Sequence, residues 1–285
     1  MSDLQQFSKL AIALRPWRQQ VVYIGGWAFR LYRYEPRAAA PGFDPIFTQD
    51  ADVAYEVRAP LAKVGNIGTA LHEAGFQEVV NLAGDFRPHA RRYTLGDEAK
   101  GFYAEFLTPL PPGDSGKERV APGKKEFRPK VTEESAGVVA QRLRHLEVLL
   151  HDPWVVTIPE EESGVGEAIV DLRVPNPVSF VVQKLLIRDI RSRNKRPQDV
   201  LYIHDALLIF GDAIDDELVP VWKALESTLS ETQRRSVRAG VSELFSREND
   251  IIREAVSIAS RSDLNPSIML RRCQEGFEDL LGDAF

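Results

Sequence analysis

Cysteine is almost missing from this chain of 285 residues. The single thiol, Cys273, excludes an intrachain disulfide and any cysteine-built metal site, and it predicts a reducing compartment. Within its run of apolar and charged residues, Cys273 reads as a core side chain. Histidine is scarce as well. His72, His89, His145, His151 and His204 show neither zinc-ligand spacing nor an H-E-x-x-H pair, and without a G-x-S-x-G there is no support for a nucleophilic triad. No uncharged apolar run approaches the ~18 residues that a bilayer span needs, and Met1 to Leu14 carries Asp3 and Lys9 where a leader would be apolar. A cytoplasmic protein with no membrane partner is expected. Positive charge is also in deficit: 36 Lys+Arg stand against 42 Asp+Glu, a formal charge of −6, so a polyanion would have to meet a local patch.

What is present, 44% apolar and 27% charged residues over this length, suits a folded chain of two packed units or of one with a large appendage. Ser2 or Asp3 is placed to cap a helix with Leu4, Phe7, Leu10 and Leu14 at helical spacing. The β-branched run Val21 to Ile24 stops at Gly25-Gly26, a helical stretch follows from Trp27 to Tyr34, and residues 35–49, with three Pro and one Gly, read as a loop. Asp50 to Val57 alternates like a half-buried strand. Pro60 is placed to start a helix that ends near Gly75. Residues 91–95 and 102–107 read as a hairpin, residues 109–130 as a flexible basic loop, residues 135–150 as a return to periodic structure, and residues 154–158 and 168–174 as two more strands. From Pro177 onward the apolar spacing is helical throughout: 178–190, 200–210, 218–229, 237–258 and 268–281. The expected fold class is α+β, a small mixed sheet with flanking helices over 1–175 followed by an all-helical domain over 176–285.

The chemistry concentrates in three places. Gly25-Gly26 closes a strand and opens a helix; lacking Cβ atoms, the pair lets a phosphate approach the backbone at a helix start. Asp50-x-Asp52 follows 24 positions after Gly26 and sets two carboxylates on one strand face. Such a pair repels unless a cation intervenes, and hard oxygen ligands suit Mg²⁺. Glu105, embedded in Phe102-Tyr103-Ala104-Glu105-Phe106-Leu107, is a third acid of the same kind. Three converging carboxylates could hold two ions, one activating a hydroxyl and one neutralising a departing diphosphate.

These pieces resemble the nucleotidyltransferase superfamily related to DNA polymerase beta, with its pattern hG[GS], Dh[DE]h and h[DE]h. Here they read Ile24-Gly25-Gly26, Asp50-Ala51-Asp52-Val53 and Ala104-Glu105-Phe106. The phrases TQDADVAYE, FYAEFLTPL and VPNPVSFVVQKLLI are similar to a bacterial group of uncharacterised nucleotidyltransferase-fold proteins, distantly similar to AbiEii-type toxins; the likeness spans residues 21–199. The resemblance implies transfer of a nucleoside monophosphate from an NTP to a hydroxyl of RNA (a tRNA end among them), protein or a small molecule. It implies Mg²⁺ as cofactor, in a pair of ions bound by Asp50, Asp52 and Glu105, with Glu105 activating the acceptor. A toxin-like role with an antitoxin partner is a further implication. Trp27 stands where many relatives carry Ser or Thr, and the stretch from Gly26 to Asp50 is longer than in minimal members.

Lys184, Arg188, Arg191 and Lys195 recur at i, i+4, i+7 and i+11 in the helix after Pro177, so all four are expected on one helical face, as a grip for the triphosphate. The toxin resemblance maps onto Lys184 and onto Lys195 with Asp199, with Gln198 where a base is expected. Arg191 reads equally well as part of a solvated face. Residues 117–130 hold six basic and two acidic side chains, a local balance of 6 − 2 = +4. That patch suits a solvated loop and, secondarily, an RNA backbone. Of Arg91 and Arg92, neighbours on a strand opposite Glu105, one is expected in the cleft and the other outward, and one of the two is expected to be a salt-bridge partner. The opposing reading of the whole chain is a catalytically inactive nucleotidyltransferase-like scaffold that binds RNA or a protein partner.

Overall fold

The computed structural model describes residues 2–56, 64–80, 91–96, 101–111, 113–115, 117–119, 127–129, 131–132, 134 and 136–282. The chain divides into two compact units, one formed by Met1–Tyr34 with Phe47–Pro175, the other by Glu35–Ile46 with Asn176–Phe285.

In the first unit, α1 (Asp3–Ala13) begins where the Ser2 hydroxyl accepts a hydrogen bond from the Gln5 amide. The chain continues through β1 (Val21–Ile24), α2 (Gly25–Leu31), β2 (Asp50–Tyr55), α3 (Ile67–Glu73), β3 (Gln77–Val80), β4 (Arg91–Leu95) and β5 (Phe102–Pro109). It ends with β6 (Lys117–Arg119), β7 (Phe127–Pro129), β8 (Gln141–Leu143), α4 (Leu146–Leu149), β9 (Trp154–Ile158), α5 (Glu160–Ser163) and β10 (Ile169–Val174). The main sheet runs β1-β2-β5-β4-β3, with β8 also paired to β5. The β2–β5 and β5–β8 ladders are parallel and the others antiparallel, which makes the sheet mixed.

Several expectations shift here. Pro60 lies outside the described residues, and α3 starts only at Ile67, where Asn66 accepts from the Thr69 amide at 2.9 Å. Strand β3, Gln77-Glu78-Val79-Val80, is mostly exposed and lacks apolar/polar alternation; it forms by pairing with β4 at the sheet edge. Part of the presumed loop over 109–130 is an antiparallel ribbon of β6 and β7.

The two sheet faces differ. On one, Phe7 stacks on Trp27 at 4.2 Å between ring centroids, and Tyr23, Phe102 and Phe76 extend this aromatic layer. On the other, Val22, Ile24, Ala54 and Leu107 pack with Leu146 and Leu149. The same face carries polar residues one step along β2 and β5, and there the candidate site lies.

The second unit contains α6 (Pro177–Ile187), α7 (Arg196–Ile209), α8 (Val219–Thr228), α9 (Glu231–Phe245), α10 (Asp250–Ala259) and α11 (Pro266–Leu281). Asn176, Ser230, Asn249 and Asn265 each accept from a backbone amide three residues on, so side-chain caps mark four of these starts. The periodicity over 237–258 is therefore two helices, because Asn249 ends one hydrogen-bond register and opens the next. Residues 35–46 join this unit as a strap: the Ala39 amide donates to the Ile209 carbonyl at 2.7 Å, and the Arg261 guanidinium lies 3.8 Å from the Phe43 ring centroid.

Candidate active site

Strand alternation sends Ala51 and Val53 of β2 into the core and leaves Asp50 and Asp52 half-buried on the opposite face. Parallel pairing then sets Asp50 beside Tyr103 and Asp52 beside Glu105, while β4 sets Arg92 beside Glu105. Asp50, Asp52, Tyr103, Glu105 and Arg92 thus share one face. Strands about 4.8 Å apart and a rise of about 3.3 Å per residue put these side chains within each other's field.

Gly25 completes the group. It adopts φ +66°, and a Cβ built on it would fall 2.7 Å from Asp52 Oδ2, so the acid lies directly against the strand-to-helix turn. The Thr48 hydroxyl donates to Asp50 Oδ1. Burial first, then the Asp50 carboxylate, holds Glu105 above the ordinary glutamate range, with Arg92 pulling the opposite way. Burial followed by Asp50, Glu105 and Asp52 raises the Tyr103 phenol to about 12. Among the described residues, no three His, Cys, Asp or Glu side chains converge as a preformed metal cage. Asp50 instead takes the Thr48 hydroxyl, Asp52 stands against Gly25, and Glu105 is the register neighbour of Arg92.

The other expected residues fall in different settings. Gly26 lies in the first turn of α2. Trp27 is fully buried, stacked on Phe7 and covered by Arg30, so it is a core residue. The basic stripe is not one helical face, because α6 ends at Ile187 and a separate 3₁₀ turn holds Lys195. Lys184 is 6% exposed; its ammonium donates to Asp199 at 2.7 Å and sits 4.7 Å from the Phe180 and Tyr202 ring centroids. Arg191 pairs with the other oxygen of Asp199 at 2.8 Å. Arg188 binds Glu243, the Leu185 carbonyl and Ser236, closing the end of α6. Lys195 is exposed and reaches Gln198 at 3.4 Å.

Arg91 is the salt-bridged member of its pair, bound to Glu78 and Glu134, and Arg92 is the one on the acidic face. Sequence reasoning missed Thr48 and Tyr103, each two residues before an acid it adjoins. That spacing, which places strand neighbours on one face, was the available signal. A cavity of about 530 Å³ lined by Asn66, His72, Glu78, Arg91 and Tyr93 lies at the β3–β4 edge, and none of the three acids lines it.

A small mixed sheet with acids on two adjoining parallel strands, a glycine turn against one of them and a helical C-terminal region make this a nucleotidyltransferase fold. The chain belongs to the nucleotidyltransferase family, whose family model matches residues 7–224. Nucleotidyl transfer is the general chemistry of that family. No protein with a curated description matches this chain. No helix among the described residues is long and apolar enough to cross a membrane.

Proposed function

We propose that this chain moves a nucleoside monophosphate from an NTP to an acceptor hydroxyl, using divalent cations, Mg²⁺ as a pair, bound by Asp50, Asp52 and Glu105. The observation that carries this reading is the β2–β5 register, which sets Glu105 next to Asp52 on the face that Asp50 shares. The donor set is all carboxylate oxygen, which suits a hard cation, and the missing Cβ of Gly25 is what leaves room for Asp52. When bound, the cations supply Lewis-acid polarisation of the phosphoryl oxygens and offset the charge of the leaving diphosphate.

The chain's own residues do the rest. Asp50 and Asp52 present the oxygen ligands, with Thr48 orienting Asp50. Glu105, held above its ordinary proton affinity, takes the proton from the attacking hydroxyl at a carboxylate oxygen. The hydroxyl oxygen forms the new bond to the α-phosphorus, and the bond from that phosphorus to diphosphate breaks. Lys184 and Arg188 are already engaged internally, so of the expected triphosphate contacts Lys195 keeps the most accessible charge. Lys184→Ala with unchanged NTP affinity would confirm an internal role. An RNA acceptor is supported by the positive charge of residues 117–130, whereas a protein acceptor, a toxin-like role and an antitoxin partner are supported by the AbiEii-type resemblance alone.

The test is label transfer from each α-labelled NTP, with Mg²⁺, to total RNA or protein. Wild type is expected to transfer label and Asp52→Asn to lose it. Equal behaviour of the two would remove the enzymatic reading and leave the inactive scaffold.

A further inference from the structure

Arg91 and Arg92 are neighbours on β4 and point to opposite sides of the sheet. Arg91 is committed: its guanidinium lies 3.1 Å from Glu78 and 2.9 Å from Glu134. Arg92 is the register partner of Glu105, which places it on the face of Asp50 and Asp52. Among the described residues it makes no salt bridge, although a carboxylate stands on the next strand. Its guanidinium carbon instead lies 5.5 Å from the centroid of the Tyr103 ring, within cation–π range. Tyr103 is in turn the register partner of Asp50. An arginine fork laid over a ring keeps its N–H donors free to take a planar or tetrahedral oxyanion two at a time.

We propose that Arg92 binds the phosphates of the incoming NTP, with Tyr103 as the platform that positions it. This inference rests on the nucleotidyl-transfer reading of the same face. The physical need is local: a polyanionic triphosphate brought beside three carboxylates meets repulsion that a cation in register with Glu105 offsets. Arg92 stands on β4, a strand paired on both sides by β5 and β3, rather than on a loop, so the fork is set by the β4–β5 ladder.

Calorimetric titration of the full chain with NTP and with inorganic tripolyphosphate, in Mg²⁺ and without acceptor, tests the assignment. Arg92→Ala is expected to weaken both ligands by about tenfold or more, by loss of charge-assisted hydrogen bonds, and Arg92→Lys to recover part of that. Arg91→Gln, on the other face, should leave both affinities within about twofold of wild type, the scale of a remote surface change. In turnover, Arg92→Ala should raise KM for NTP more than it lowers kcat. If wild type binds both ligands and Arg92→Ala binds them equally well with an unchanged melting curve, the inference is overturned while the transfer reading stands. A fall in RNA binding alone would overturn it in the same way. If wild type binds neither ligand, both readings fail together.

Discussion

At Gly25 the backbone takes φ +66°, and the space a Cβ would need is filled by Asp52 Oδ2. Two costs coincide at one position: left-handed backbone strain of about 1–2 kcal/mol for an L residue, and displacement of a site carboxylate. Gly25→Ala is therefore expected to lower stability by at least that amount in a denaturant melt and to remove label transfer along with it. Glu105 carries the opposite trade. Burial and the Asp50 carboxylate hold its native proton affinity above that of an unfolded glutamate, so the native state binds more protons between the two values. Stability then falls as pH rises through that window. In metal-free buffer, Glu105→Gln should melt higher than wild type at neutral pH, and the difference should close below about pH 4, where both states of the wild type are protonated. A variant more stable yet inactive would show that the acid is kept for chemistry.

The elements show where periodicity suffices and where it does not. The alternation in β2 and β5 and the caps Ser2 and Asn176 are local properties, and strands and helices begin where those residues stand. The basic stripe does not form one face, because i, i+4, i+7 spacing aligns side chains only while the helix lasts. Arg188 turns back to bind the Leu185 carbonyl, and α6 stops. Lys184 is buried on α6, and what holds it is Asp199 on α7, a partner that spacing does not reveal. That pair, joined by Arg191, ties α6 to α7 in the interior of the second unit. Asp199→Ala leaves the Lys184 ammonium buried without its counter-charge, and is expected to cost about 3–5 kcal/mol in chemical denaturation. The double change Lys184→Met with Asp199→Leu should recover most of that loss, since an apolar pair of similar volume needs no desolvation of charge.

Across the whole molecule, the long stretch between the glycines and the first acid had the composition of an unstructured insertion. Part of it, Glu35–Ile46, packs as a strap within the helical unit through Arg261, Phe43 and the Ile209 carbonyl, and the chain then returns to supply Thr48 and Asp50. No local signal marks such a crossing, because its contacts are with residues far along the chain. The amino-acid order by itself determined which residues are acidic on a buried strand, where glycine replaces a side chain, and which positions cap helices; each depends on bonded neighbours and the repeat of the backbone. Only tertiary structure decided that Asp52 faces Glu105, that Arg92 stands on their side while Arg91 does not, and that Lys184 belongs to Asp199. Register between strands and pairing of buried charges are chosen by packing over long sequence distances, where many local solutions compete and burial selects among them.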